Sequence, residues 1–169
     1  FVPAFHFNTR VIQTGKKWFG RGADMTPSIL NDEDVNFFHK SIENVCDKHD
    51  KKYYPDFKKQ CDEYFYLPHR DEPRGEGGIF FDHLNNNDFK RDFDFIHDFG
   101  EDILKTICSI IENRKDKTWS QEEKDIQLYK RGRYVEFNLL WDRGTLFGLK
   151  TGGSTEAILM SMPPTAKWK

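Results

Sequence analysis

The chain opens with alternating polar and apolar positions. Between residues 5 and 12, a period of two places His6, Asn8 and Arg10 on one face and mostly apolar side chains on the other. This alternation predicts a strand with one polar face. Spacing alone leaves two readings open, a solvated surface and the wall of a binding site.

Helical spacing follows in two blocks. Asn31 is a typical N-cap ahead of three acidic residues, and apolar side chains then recur every three or four positions, which predicts a helix over residues 32–48. Pro55 suits the first position of a second amphipathic helix, which we expect to end before Pro68.

A glycine-rich stretch and two further helical patterns occupy the middle of the chain. Residues 75–82 lead from glycines into a short apolar strand. Apolar residues keep helical spacing over residues 89–110, which predicts a long helix that covers a sheet. Ser120 and Glu123 match a capping box for another helix through residue 129.

Apolar runs between residues 133 and 162 predict three strands in a meander. The turns are expected near Asp142-Arg143-Gly144 and Thr151-Gly152-Gly153. The element order is then strand, helices, strand, helices, strands. Such an order predicts an α+β fold with an antiparallel sheet.

Composition limits the classes of protein that fit. A length of 169 residues with 15% aromatic residues suits one domain with a substantial core. The net charge of −2, with no basic run, argues against nucleic-acid binding. Three widely spaced cysteines disfavour both a disulfide framework and a structural zinc site. No apolar stretch approaches the roughly 20 residues of a membrane-spanning helix, so we expect a soluble protein.

Two small groups of residues could carry chemistry. His6, Asn8 and Arg10 offer an acid/base, an amide and a cation to one ligand. Asp142 and Arg143 could supply a proton-transferring carboxylate beside a carboxylate-binding fork. The alternative for the second pair is a type I turn with a surface ion pair, which the residues alone favour.

Histidines give a weaker signal for a metal site. His6, His39 and His69 are separated by about 30 residues and lack any compact ligand spacing. A metal-dependent enzyme that uses these three side chains stays open as a hypothesis. A histidine in the protein core is an equal alternative for His39, which follows two phenylalanines.

Five ordered runs carry a resemblance that spans nearly the whole chain. They are residues 4–10 (Ala-Phe-His-Phe-Asn-Thr-Arg), 18–27, 54–66, 69–82 and 131–164. Together they resemble the oxygen-dependent coproporphyrinogen III oxidase family. The resemblance implies an α+β fold, with a broad antiparallel sheet flanked by helices on both faces. It also implies a single domain over residues 1–169 that is truncated at both ends.

The activity implied by the resemblance is oxidative decarboxylation of two propionates of coproporphyrinogen III to vinyl groups, which gives protoporphyrinogen IX. Dioxygen is the co-substrate, no organic cofactor is expected, and a divalent metal is left open. The implied assembly is a homodimer formed through the C-terminal strands. The implied location is the cytoplasm, with mitochondria or plastids as alternatives. A non-catalytic tetrapyrrole-binding paralogue and an inactive fragment are the other readings.

The resemblance also implies roles for individual residues, and the sequence departs from the family pattern at four positions. Glu76 stands where an apolar residue is usual, and His83 stands where a second aspartate is common. Ser154 stands where an arginine is usual, and Arg21 stands where a glycine is usual. The implied catalytic residues are His6, Asp24, Asp142 and Arg143; the substrate-binding residues are Asn8, Thr9, Arg10, Gly152, Gly153 and Ser154; the metal ligands of some members match His6, His39 and His69.

Overall fold

The computed structural model describes residues 1–12, 15 and 17–168. Within them the chain forms an antiparallel sheet with helices on both sides, so the α+β prediction is confirmed. The strands are β1 (Ala4–Ile12), β2 (Trp18–Thr26), β3 (Tyr66–Leu67), β4 (Glu72–Pro73) and β5 (Gly77–Leu84); the helices are α1 (Asp32–His49), α2 (Tyr53–Tyr64), α3 (Phe89–Arg114), α4 (Gln121–Leu140), α5 (Arg143–Lys150) and α6 (Thr155–Ile158).

The main sheet has the order β1-β2-β5, and both strand pairs are antiparallel. His6 lies opposite Asp24, which in turn lies opposite Gly78, so these three positions share one face. Gly78 has φ 156°, and a Cβ there would lie 2.0 Å from the carbonyl oxygen of Ala23. Only glycine therefore allows the two strands to approach this closely beside Asp24.

One face of the sheet packs on α1, α2 and α3 and forms the hydrophobic core. Aromatic rings dominate this core, and Phe57 of α2 stacks on Phe81 of β5 with ring centroids 4.1 Å apart. Aromatic side chains bury large apolar areas, which stabilise this layer. The fully or nearly fully buried core residues include Ala23, Met25, Phe38, Ile42, Ile79, Phe81, Phe95, Phe99 and Ile103.

The opposite face of the sheet carries the polar side chains of β1 and contacts the C-terminal helices. Tyr134 and Phe137 of α4 are buried, and Tyr134 stacks on His6 with ring centroids 5.1 Å apart. The alternation predicted for the first strand is confirmed, because its polar face turns away from the core. The predicted α1 and α3 are also confirmed, with side-chain caps from Asn31 and Asp88.

The predicted meander between residues 133 and 162 is wrong. This segment lies in α4, α5 and α6, and the helix predicted through residue 129 continues to Leu140. Asp142, predicted to lie in a turn, and Ser154, which follows the second predicted turn, are N-caps that accept hydrogen bonds from Thr145 N and Ala157 N. A homodimer through C-terminal strands consequently has no strands to use in this segment.

A smaller correction concerns α2. It begins at Tyr53, so Pro55 is its third residue and not its first. Proline is tolerated there because the N–H groups of the first turn have no acceptor within the helix.

The cysteines are free thiols, as expected. Cys46 and Cys61 are buried in the core layer and Cys108 is exposed. Burial raises the pKa of Cys46 to about 12 and also raises the pKa of Cys61. Among the described helices, none is long and apolar enough to cross a membrane.

Candidate active site

A pocket of about 430 Å³ lies between the polar face of the sheet and the C-terminal helices. Strand β1 contributes every second residue to it, His6, Asn8 and Arg10, because these side chains project from one face of the strand. Asp142 and Arg143 enter from the start of α5. The pocket therefore joins two groups that are more than 130 residues apart in the sequence.

The inner wall of the pocket is a buried chain of polar contacts. Asp24 accepts hydrogen bonds from Arg74 and from His6 Nδ1, the latter at 3.2 Å. His6 Nε2 lies 2.8 Å from the hydroxyl of Tyr134. Because an ionised carboxylate can only accept, His6 donates from Nδ1, and its Nε2 in the neutral ring accepts from Tyr134. The Asp24 contact therefore fixes which ring nitrogen faces α4.

Asp24 remains ionised although it is only 3% exposed. Burial by itself would raise its pKa, but the Arg74 guanidinium and the His6 ring outweigh that effect and hold the pKa of Asp24 below its ordinary value. Arg74 is equally buried and lies over aromatic rings, with its guanidinium carbon 3.9 Å from the ring centroid of Phe65 and 4.9 Å from that of Phe137. These contacts fix the cation that keeps Asp24 charged.

The outer wall holds two arginines around one aromatic ring. The guanidinium carbons of Arg10 and Arg143 lie 5.6 Å and 5.8 Å from the ring centroid of Phe80. Tyr64 stacks on Phe80 with an interplanar angle of 8° and a centroid separation of 4.6 Å. Both arginines also approach the carboxylate of Asp82, at 3.4 Å each.

Asp142 links this aromatic surface to α5. Its Oδ2 accepts from Thr145 N at 2.6 Å, and its Oδ1 accepts from the Tyr64 hydroxyl at 2.8 Å. Burial and the neighbouring Asp142 raise the pKa of Tyr64, so Tyr64 stays a hydrogen-bond donor. Asp142 thus caps a helix and at the same time orients a pocket side chain.

The structure brings together most of the predicted site residues but not all of them. Thr9 is exposed on the opposite face of β1. Gly152, Gly153 and Ser154 connect α5 to α6 and do not line the pocket, which Ile158 and Ser161 reach instead. The six predicted residues that line it are His6, Asn8, Arg10, Asp24, Asp142 and Arg143.

The three candidate metal ligands lie in separate settings. His39 contacts the Tyr54 hydroxyl at 3.1 Å and the carbonyl of Glu76 at 2.9 Å, and burial lowers its pKa. His69 lies 2.8 Å from Glu136. In the part of the chain that the structure describes, no three His, Cys, Asp or Glu side chains cluster as metal ligands. These residues therefore do not fit a shared metal ion.

Arg21, which stands where a glycine is usual in the family, lies outside the pocket. It points to the core face, where it is 4% exposed and donates from Nη1 to the carbonyl of Ile96 at 2.7 Å. Arg21 therefore adds no cation to the pocket.

Sequence reasoning missed five residues of this site. Arg74 and Tyr134 complete the inner wall, Tyr64 and Phe80 form the outer one, and Asp82 pairs with its two arginines. A partial signal existed, since every one of them lies within a run that carries the family resemblance. Phe80 and Asp82 also alternate along β5, which is the pattern of a strand with one face turned to a pocket.

Comparisons with known proteins identify the family of this chain. The family profile described as coproporphyrinogen III oxidase matches residues 1–169. Oxygen-dependent coproporphyrinogen-III oxidases of Rickettsia bellii (strain OSU 85-389) and Rickettsia rickettsii (strain Sheila Smith) are each 56% identical to this chain over 167 residues, and that of Rickettsia akari (strain Hartford) is 54% identical. Each match covers 99% of this chain and 60% of the relative, so the chain spans about 60% of the length of these relatives. With a profile match over its whole length and relatives at this identity, the chain belongs to the coproporphyrinogen III oxidase family.

Proposed function

We propose that this protein converts two propionate side chains of coproporphyrinogen III to vinyl groups, with dioxygen as the electron acceptor and protoporphyrinogen IX as the product. For each propionate, the bond to the carboxylate carbon breaks to release carbon dioxide, and one C–H bond breaks at the carbon attached to the pyrrole. Dioxygen receives two electrons, that hydrogen and one proton from solvent, and leaves as hydrogen peroxide. The carbon–carbon bond electrons form the vinyl double bond.

The main support for the proposal is the position of two arginines beside an aromatic surface. A porphyrinogen is an apolar macrocycle with carboxylates on flexible arms, so it needs cations beside a flat apolar wall. Arg10 and Arg143 supply the cations, and Phe80 with the stacked Tyr64 supplies the wall. Guanidinium groups bind carboxylates through paired hydrogen bonds, which positions the arms as well as binding them.

Across the pocket, the chain of contacts from Arg74 to Tyr134 supports roles in proton handling. We assign His6 as the group that exchanges a proton with the substrate, since its tautomer is fixed by Asp24. Asp24 and Asp142 are the carboxylates that can interact with a pyrrole N–H and stabilise positive charge on the ring. Asn8 adds a neutral hydrogen-bonding amide on the same wall.

Thr9 and the segment Gly152–Gly153–Ser154 keep substrate-binding roles only as predictions based on the resemblance. No step of the proposed reaction depends on them here.

An oxygen-uptake assay tests the proposal. The full-length protein, given coproporphyrinogen III in air, should consume one dioxygen and release one carbon dioxide for each propionate converted. A folded protein that consumes no dioxygen and releases no carbon dioxide would refute catalysis. Tight binding of the tetrapyrrole without turnover would instead select a non-catalytic binding protein.

We also propose that the protein is a homodimer that associates through the C-terminal helices. Large apolar side chains are exposed there, with Phe147 of α5 69% and Met160 84% exposed. Large apolar side chains with this degree of exposure are candidates for burial in an interface. Light scattering should give twice the chain mass, Phe147→Asp should give a monomer, and Phe93→Asp on the distant α3 should leave the dimer intact. A monomeric wild type, or a dimer unaffected by Phe147→Asp, would contradict this.

For the location we propose the cytoplasm, on the basis of the bacterial relatives. Fractionation of the source cells, with recovery of the protein in the membrane or organelle fraction as the contrary result, tests this directly.

A further inference from the structure

A single carboxylate lies between the two arginines of the outer wall. Asp82 Oδ1 is 3.4 Å from Arg10 Nη2, and Asp82 Oδ2 is 3.4 Å from Arg143 Nη2. Asp82 projects from β5 on the same face as Phe80, two residues earlier, which both guanidinium groups also approach. An acid of this protein therefore sits where two cations and an aromatic ring would bind a carboxylate arm of a ligand.

The three partners differ in their freedom to move. Asp82 is 18% exposed, whereas Arg10 and Arg143 are 46% and 65% exposed. Gly20 leaves space for the acid, because a Cβ at that position would lie 2.5 Å from Asp82 Oδ1. The carboxylate is thus held by its strand, while the two exposed guanidinium groups can turn towards a ligand.

The contacts themselves are weak. Both ion pairs are longer than a good charge-assisted hydrogen bond, and Asp82 Oδ1 is buried without a hydrogen-bond partner in the described part of the chain. Ion pairs with exposed partners contribute little, so replacement of one carboxylate by another at the arginines costs little. The arrangement is suited to exchange and not to permanent pairing.

We propose that Asp82 is a built-in competitor for the substrate carboxylates, which holds the arginine pair when no propionate is bound and limits how tightly a propionate is bound. This inference rests on the proposed function. Two propionates must react in turn, so a carboxylate arm has to leave the arginines before the next can enter. A competing acid in the wall keeps that exchange fast, because ground-state binding that is too tight adds nothing to turnover.

Equilibrium titrations with coproporphyrin III test the proposal. This aromatic form carries the same four carboxylates as the proposed substrate, is stable in air and is fluorescent. Asp82→Asn removes the competing charge and keeps the side-chain size. We expect the full-length variant to bind coproporphyrin III about fivefold more tightly than wild type, the factor for one exposed ion pair at the upper end of its usual range.

Steady-state kinetics should show the matching pattern, with a lower KM and a kcat that does not rise. Asp94→Asn is the matched control, because Asp94 pairs with Lys90 on the surface of α3, outside the pocket. This control should bind as wild type does. An equal gain in the control would overturn the proposal in favour of a general charge effect.

Weaker binding by Asp82→Asn would overturn the proposal, since it would mean that Asp82 orients the arginines for the ligand. Unchanged binding would overturn it as well, since Asp82 would then not compete with the ligand. If wild type does not bind coproporphyrin III at all, the proposed function fails and the inference fails with it. Thermal unfolding identifies a variant that has lost its fold. In that case Asp82→Ser, which also removes the charge but fits the space beside Gly20, takes its place under the same criteria.

Discussion

The buried cation Arg21 gives the most direct test of the energetics of this fold. Its guanidinium carbon lies 4.2 Å from the ring centroid of Phe7 and 5.2 Å from that of Phe99. Its Nε has no hydrogen-bond partner, and no carboxylate pairs with it among the described residues. Burial lowers the pKa of Arg21 to about 10, so the group remains charged at neutral pH without a counter-ion. We expect Arg21→Met to stabilise the protein.

The expected magnitude follows from opposing contributions. Desolvation of a charged group costs several kcal/mol, and replacing buried charges with apolar side chains has stabilised other proteins by about 1–4 kcal/mol. Arg21 recovers part of that cost through one charged hydrogen bond, worth about 1.5–3 kcal/mol, and two cation–π contacts. Methionine keeps apolar contact with both rings, and the Ile96 carbonyl lies within α3, where the helix supplies another donor.

The net gain should therefore fall at the low end, about 1–2 kcal/mol, which corresponds to a rise in Tm of roughly 2–8 °C for a chain of this size. Thermal and urea unfolding of both proteins would measure it. Arg91→Met, at an exposed position on the same helix that Arg21 contacts, should change stability by less than about 0.5 kcal/mol. A loss of stability in Arg21→Met would refute the reasoning and show that the contacts of the guanidinium outweigh the cost of its burial.

Three further changes separate chemistry from stability. Asp142→Asn should lower kcat by at least about tenfold while stability changes by less than about 1 kcal/mol, because asparagine caps a helix as well as aspartate does. Equal losses of activity and of stability would mean that Asp142 serves only as a helix cap. Tyr134→Phe removes the partner of His6 Nε2, and we expect kcat to fall about tenfold and its pH profile to shift, whereas an unmoved profile would leave Tyr134 a packing residue. Hydrogen bonds from Arg70 lower the pKa of Glu136 from 4.5 to about 2, so the contribution of Glu136 to stability is complete above pH 4.5 and is lost as the pH falls towards 2. In acid titrations, Glu136→Gln should flatten the decline of the unfolding free energy over this range. An unchanged slope would contradict the assignment.

Local rules predicted β1, α1, α2, β5 and α3, but they missed β2, the central strand of the main sheet. The Asn31 cap, the acidic first turn and the apolar spacing all agree over α1, and the alternation along β1 correctly separated its polar face from the core face. Such signals depend on neighbours only a few residues apart, so they can be seen without knowledge of the tertiary contacts. The pocket residues of β1 were predicted for the same reason.

The prediction of strands in the C-terminal segment was wrong because apolar runs do not distinguish a strand from a partly buried helix. Tyr134, Phe137 and Asn138 are buried at spacings of three and four, which is a helical pattern that the longer apolar run concealed. The contacts that join the residues of the inner wall could not be predicted either. These contacts span 18 residues from His6 to Asp24, 50 from Asp24 to Arg74 and 128 from His6 to Tyr134, and no local pattern encodes such a meeting.

The buried thiols have a consequence for the durability of a protein with this activity. The proposed reaction releases hydrogen peroxide, which attacks cysteine as the thiolate. Cys61 lies close enough to the pocket wall that the charge of Asp24 contributes to raising its pKa, and burial is the larger cause for both Cys46 and Cys61. Both side chains therefore remain protonated and poorly nucleophilic at physiological pH. The core is thus protected from the oxidant generated beside it, and irreversible oxidative damage should begin at the exposed Cys108.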